Sequence, residues 1–310
     1  MYRILVPLDG TRRAERAIPW AQVLADPLEA ELYLVRVVPV IDPARTPAGE
    51  FEETVVNDAR AYISAAGEKV SGVPLATAKV LLSQRPPAEE LAAYAQEHEI
   101  DLAVMAGHGR SGIMRVLAGS VAGEIVHQLA LPTLVIGPEA LERPAKVPGT
   151  ILVPLDNSSL ARTILAPLAP LASPEGRDAR LILFRVLPWP PEMLPLQGAV
   201  VPLSPSSANA PDDLVEDLDA FAQELRAKGF TVDERVAFGD RAASIVQVAK
   251  ELGVDLIAMS THSLEGLGHW LIRSIAEEVI SDSPVPVLTF HPPAAAGKSS
   301  SRRARRSDQL

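Results

Sequence analysis

The chain has 310 residues, 29 basic and 39 acidic, with a net charge of −10. That length can bury the cores of two compact domains, and that charge argues against a folded body built to hold nucleic acid. There is no cysteine, which excludes disulfides and thiol chemistry and is compatible with a reducing compartment.

The N-terminus runs directly into a strand-like Ile4-Leu5-Val6, without a basic n-region, a long apolar run or a small-residue cleavage site. Short apolar runs bounded by turn residues then alternate with longer stretches of helical period, the pattern of βαβ units around a parallel sheet. Strands are predicted near 3–8, 31–38, 75–82, 101–106 and 132–137, and helices near 12–25, 50–70, 87–98 and 115–130. The strands are almost wholly apolar, as expected when helices cover both faces of a sheet. Pro138 to Gly149, rich in proline and charge, reads as an exposed linker.

The pattern then repeats. Strands are predicted near 150–155, 179–187, 231–238, 254–260 and 285–290, again with four intervening helices. Arg3-Ile4-Leu5-Val6-Pro7-Leu8-Asp9-Gly10-Thr11 returns as Thr150-Ile151-Leu152-Val153-Pro154-Leu155-Asp156-Asn157-Ser158, and Leu131-Pro132-Thr133-Leu134-Val135-Ile136 as Val285-Pro286-Val287-Leu288-Thr289-Phe290. Matching segments in the same order mark an internal duplication. The offset between the copies grows from 147 at Asp9 and Asp156 to 154 at His108 and His262, so the second copy has gained residues in its first half. They follow its second strand, where Pro188, Pro190, Pro191, Pro195, Pro202, Pro205 and Pro211 exclude regular helix or a central strand. Such a loop can be a lid over a ligand or an ornament. At the far end Lys298, Arg302, Arg303, Arg305 and Arg306 lie among serines, a composition that cannot offset its ordering entropy and is expected to be a disordered basic tail. The tail can be solubilising or can contact an acidic surface.

In open α/β sheets, ligands bind beyond the carboxyl ends of the strands where the strand order reverses. Asp9 stands just past the first strand, where it can accept hydrogen bonds from two ribose hydroxyls or simply cap the following helix. Ala106-Gly107-His108-Gly109-Arg110-Ser111-Gly112, followed by Gly119-Ser120-Val121 at the start of a helical pattern, is the stronger signal. Backbone N–H groups at a helix N-terminus bind phosphate where glycine allows close approach. His108 and His262 occupy matching positions, yet neither comes with a nucleophile, paired carboxylates or a metal-ligand cluster, which argues against a catalytic role for either. Zinc spacing, a nucleophile elbow and a Gly-x-x-x-x-Gly-Lys-Ser/Thr loop are all missing from the sequence.

Taken together, Val6-Pro7-Leu8-Asp9, Met105-Ala106-Gly107-His108-Gly109-Arg110, nine residues up to Ala118, and Gly119-Ser120-Val121 resemble the universal stress protein (UspA) family. The resemblance covers about 3–137 and 150–290, so the chain looks like a tandem member. It implies two repeated Rossmann-like α/β domains, each a five-stranded, mostly parallel sheet with helices on both faces, at 1–138 and 150–291. Residues 139–149 then form a linker and 292–310 the tail.

The resemblance further implies ATP as ligand, accompanied by Mg²⁺ or Mn²⁺ because no lysine occupies the loop. By position, Asp9 would hold the ribose, the Val37 backbone the adenine edge, Ala106 and Gly109 the ribose and phosphates, and Gly119, Ser120 and Val121 the phosphates. Pro7, Gly107 and Arg110 complete the expected cofactor-binding set. Ala106 departs from the family's first glycine. The second repeat departs further: Ser260 and Ser263 replace the first two glycines and Arg273 the third, leaving Asp156, Val186, Ser260 and Ser274 as a weak second site. Arg273 can obstruct phosphate or supply charge to it. The expectation is a cytoplasmic, nucleotide-responsive regulator of the stress response, with ATP mainly in the N-terminal domain and no catalytic residue. A scaffold acting through protein partners and a slow ATP hydrolase are the alternatives. The strands at Thr133 to Gly137 and Val287 to Phe290 are expected to be edges that pair the two repeats, leaving room for a homodimer.

Overall fold

The computed structural model describes residues 1–40, 49–107, 131–156, 158, 161–172, 179–188, 201–203, 212–261 and 275–292. The first repeat contains β1 (Tyr2–Pro7), α1 (Ala17–Ala25), β2 (Ala30–Pro39), α2 (Gly49–Gly67), β3 (Leu75–Ser83), α3 (Pro87–Glu97), β4 (Leu102–Ala106) and β5 (Thr133–Ile136). The second contains β6 (Thr150–Pro154), α4 (Leu165–Ala172), β7 (Arg180–Leu187), β8 (Val201–Leu203), α5 (Asp212–Ala227), β9 (Thr231–Phe238), α6 (Arg241–Leu252), β10 (Leu256–Ser260), α7 (Ile275–Asp282) and β11 (Val287–Phe290). The expected helices near 115–130 and much of the proline-rich stretch 188–211 lie outside the described residues, as does the basic tail beyond Pro292.

All strands join one sheet in the order β3-β2-β1-β4-β5-β11-β10-β6-β7-β9-β8. Pairing within each repeat is parallel apart from β8, and the repeats meet through antiparallel β5 and β11, as the edge reading expected. Two expectations change. Among the described residues the second repeat shows six strands rather than five, because Val201–Leu203, inside the proline-rich stretch, adds β8 antiparallel to β9. It is an outermost strand, the place where a chain containing Pro202 can pair without losing a ladder bond on both sides.

The linker is also less exposed than its composition suggests: Ala140 and Leu141 are buried in a short 3-10 turn. Arg16 pairs with Glu142, Lys250 with Glu139 and Lys146 with Asp255, so side chains from both repeats hold it.

Alternation along the strands builds two cores. Ile4 and Val6 face α1, packing with Ile18, Trp20 and Leu24, while Leu5 joins Leu91 and Tyr94 of α3 on the other face. Ile151 and Val153 continue the first core and Leu152 the second, so each layer runs through both repeats. At roughly 1.5–3 kcal/mol per buried large aliphatic side chain, these layers hold the strand ends in place.

Candidate functional site

Both repeats reverse strand order beside their first strand: β1 lies between β2 and β4, and β6 between β7 and β10. At such a point the connections leave on opposite faces and the carboxyl ends of the strands open into a crevice. Pro7 ends β1, Ala106 ends β4, and Gly107 follows it, its amide bonded to the carbonyl of Ile136 at 2.8 Å.

Val37 lies farther along β2 than β1 reaches. Pairing of β1 with β2 stops at Pro7 opposite Val35, after which the Leu8 amide donates to the Val35 carbonyl at 2.8 Å. In a strand the backbone groups of alternate residues point the same way. The N–H and C=O of Val37 are therefore directed past the end of β1, where that strand offers them no ladder partner.

Asp9 shapes the turn below. Its Oδ1 accepts from the Thr11 amide at 2.8 Å and the Thr11 hydroxyl at 2.7 Å, and the Thr11 hydroxyl accepts from the Ala14 amide at 3.2 Å. A short polar side chain that satisfies backbone donors in this way starts a helical turn, here the 3-10 turn Ala14–Arg16 that leads into α1. Asp9 closes this turn without capping a helix, since neither the 3-10 turn nor α1 has a side-chain cap, and its carboxylate is exposed. Gly10 has φ +95°, a conformation that disfavours side chains.

Two arginines at this end of the sheet were not singled out from the sequence. The Arg36 guanidinium lies against Gly10 and 5.1 Å from the ring centroid of Tyr62, a cation–π separation. The Tyr62 hydroxyl donates to the Thr11 carbonyl at 3.1 Å, and burial pushes its phenol well above the ordinary range. Arg13 Nε donates to the Gly107 carbonyl at 3.1 Å. Arg36 did leave a signal: it is a charge amid the apolar run Leu32–Val38, repeated as Arg185 amid Leu181–Leu187.

In the second repeat the turn is reproduced. Asp156 Oδ1 accepts from the amide and hydroxyl of Ser158, and the Ser158 hydroxyl accepts from the Ala161 amide at 3.2 Å. Val186 likewise lies beyond the last β6 pairing, Pro154 opposite Phe184. The strand ends differ. Ser260 ends β10 with its hydroxyl 3.0 Å from the Thr163 hydroxyl. Arg185 is 4% exposed and donates to Asp217 Oδ2 at 3.1 Å, while Arg162 donates to the other oxygen of Asp217 at 2.6 Å. The Arg185 hydrogen bond, with Arg162 nearby, holds the Asp217 carboxyl below the usual carboxylate range despite partial burial.

The structure therefore brings Pro7, Asp9, Val37, Ala106 and Gly107 to one crevice and Asp156, Val186 and Ser260 to its counterpart. Gly109, Arg110, Gly119, Ser120, Val121 and Ser274 lie outside the described residues, as do His108, His262, Ser263 and Arg273. Among the described residues no acidic or histidine cluster could hold a metal ion, and no helix is long and apolar enough to cross a membrane.

The universal stress protein family model matches residues 1–137 and again 149–291. A universal stress protein of Mycolicibacterium smegmatis is 24% identical over 304 residues, covering 94% of this chain and 97% of that one. Another, from Methanocaldococcus jannaschii, is 29% identical over 140 residues, 43% of this chain and 81% of its own length. In three dimensions, a universal stress protein from Archaeoglobus fulgidus superposes with a TM-score of 0.67 at 16% identity, covering 94% of this chain and 96% of that one.

Proposed function

The chain belongs to the universal stress protein family, and from that premise we propose that it binds ATP, mainly in the crevice of its N-terminal repeat, as a nucleotide-responsive regulator of the stress response in the cytoplasm. The observation that carries nucleotide binding is the backbone of Val37, directed past the end of β1 at the same end of the sheet as an exposed Asp9; the preference for the N-terminal repeat rests on Gly109 and Gly119, which the second repeat replaces by Ser263 and Arg273. A base edge needs a backbone donor and acceptor side by side, and a ribose needs a carboxylate acceptor within a turn of it. The donor set fits both.

In this reading Val37 reads the base through N–H and C=O, and Asp9 accepts from the ribose hydroxyls while its Oδ1 keeps the turn closed. Ala106, small and at the end of β4, leaves room for the sugar. Arg36 and Arg13 add positive charge at the same end of the sheet. Gly109, Gly119, Ser120 and Val121 supply backbone donors to the phosphates by the family's pattern. A bound Mg²⁺ or Mn²⁺ would neutralise phosphate charge that no lysine of the loop meets.

Native mass spectrometry of the whole chain in the presence of ATP tests the reading directly. One tightly held nucleotide per chain is expected, and Asp9→Ala should weaken it roughly tenfold. Spectra free of nucleotide at saturating ATP, together with no thermal shift, would replace this reading by a scaffold that works through protein partners.

A further inference from the structure

The seam between the repeats has a two-fold character that the sequence does not share. Leu134 pairs with Leu288 at its centre, flanked by Thr133 with Thr289 and Val135 with Val287. By the repeat alignment Leu134 and Leu288 are equivalent, as are Thr133 and Val287, and Val135 and Thr289. The seam thus sets threonine against threonine and valine against valine, all four buried. A repeat paired with its own copy in the same register would set threonine against valine at both flanks.

One position converts that preference into a steric condition. Gly137, just after β5, lies under the carbonyl of Ile280 in α7 of the other repeat. A Cβ there would fall well inside 3.0 Å of that oxygen, closer than real Cβ atoms come. The obstacle is backbone in a helix whose Ile280 is buried, so it cannot swing aside as a side-chain tip could. The equivalent residue of the second repeat is His291. The backbone equivalence holds in space: the Gly107 amide donates to the Ile136 carbonyl at 2.8 Å and the Thr261 amide to the Phe290 carbonyl at 2.9 Å, each just before the residue in question.

We propose that the seam is keyed: the second repeat accepts the first repeat of the chain as its edge partner and rejects another copy of itself, because α7 seats only on glycine and the second repeat carries His291 there. The matched threonine and valine pairs reinforce the choice through cross-strand packing. Thr289 also donates across the seam to the Thr133 carbonyl at 3.2 Å. Two chains therefore do not associate through their β11 edges, and a homodimer must use another surface.

The test uses the full chain, with hydrogen exchange at the β5 and β11 amides and particle mass by light scattering. Gly137→Ala adds one methyl and is the mild variant. It should raise exchange at Leu134–Ile136 and Val287–Phe290 at least tenfold while β1 and β6 stay at wild-type rates. Gly137→His should open the seam further without raising the mass over wild type, since neither edge then offers α7 a glycine. The double variant Gly137→His/His291→Gly moves the key to the second repeat; β11 protection should return and the mass should double relative to Gly137→His. Wild-type exchange in Gly137→Ala would overturn the proposal. So would a mass increase in Gly137→His that protects β11, or return of protection in the double variant without doubling.

Discussion

The first turn and the strand ends of the two repeats have had different histories. Asp9, Thr11 and Ala14 make the same three hydrogen bonds as Asp156, Ser158 and Ala161, at distances that match for the amide contacts. A few ångströms away the correspondence ends. Arg36 stands at the crevice against Tyr62, whereas Arg185 is buried and tied to Asp217, and Ala106 becomes Ser260, bonded to Thr163. The turn after the first strand survived duplication; the surroundings of Arg36 and Ala106 did not. An aspartate shared by both repeats is therefore weak testimony for a shared ligand, because closing the turn alone accounts for its presence.

The sharpest way to break this contrast is to make the first repeat resemble the second. Gly119→Arg copies Arg273 into the phosphate loop, and a side chain where backbone must approach phosphate should lower ATP affinity at least 100-fold, roughly 2.7 kcal/mol or more. Isothermal titration with an unchanged circular dichroism spectrum checks it. Unaltered affinity would remove the assigned loop, and two nucleotides per wild-type chain would remove the asymmetry itself.

The next effect concerns Arg185. Truncating Asp217→Ala takes a hydrogen-bonded acceptor from a nearly buried guanidinium. The cost should be about 2 kcal/mol, less than for a fully buried pair because the Asp217 side chain is 48% exposed. The sign with pH follows from the shift. Asp217 titrates lower in the folded chain than its ordinary value, so its stabilisation is present above about pH 4 and is lost as pH falls through the folded value. Denaturant melts of wild type and Asp217→Ala should therefore differ at pH 7 and converge towards pH 2. A gap that stays constant with pH would mean that Asp217 acts through packing and not through charge.

Strand positions were legible in the sequence because buried parallel strands are continuous apolar runs, as Leu102–Ala106, buried throughout, illustrates. The sixth strand was not, since Val201–Leu203 contains a proline and gains its partner only once Val236–Phe238 is in place. Nor was the burial of Ala140 and Leu141 in a segment rich in proline and charge, which needs both repeats assembled around it. At this end of the sheet, Asp9 could be placed from its position just past the first strand and Val37 only from the family resemblance. Arg13 and Arg36 could not, because their position depends on the carbonyl of Gly107 and the ring of Tyr62, both remote in sequence.

The smallest expected effect separates the two roles of the aspartates. Asp9→Ala and Asp156→Ala each remove a carboxylate that accepts one amide and one hydroxyl in the turn after the first strand, and each should lower stability by about 1 kcal/mol, the ordinary net worth of such a hydrogen bond. Equal stability losses test the common scaffold. Affinity should then split them. Asp9→Ala should weaken ATP roughly tenfold, since a charge-assisted hydrogen bond to the ribose carries about 1.4 kcal/mol, while Asp156→Ala should leave the titration unchanged. If both variants weaken ATP alike, the second crevice binds as well as the first, and the buried Arg185 has not cost it its ligand. If neither does, the aspartates close their turns and nothing more, and the nucleotide must be held elsewhere in the chain.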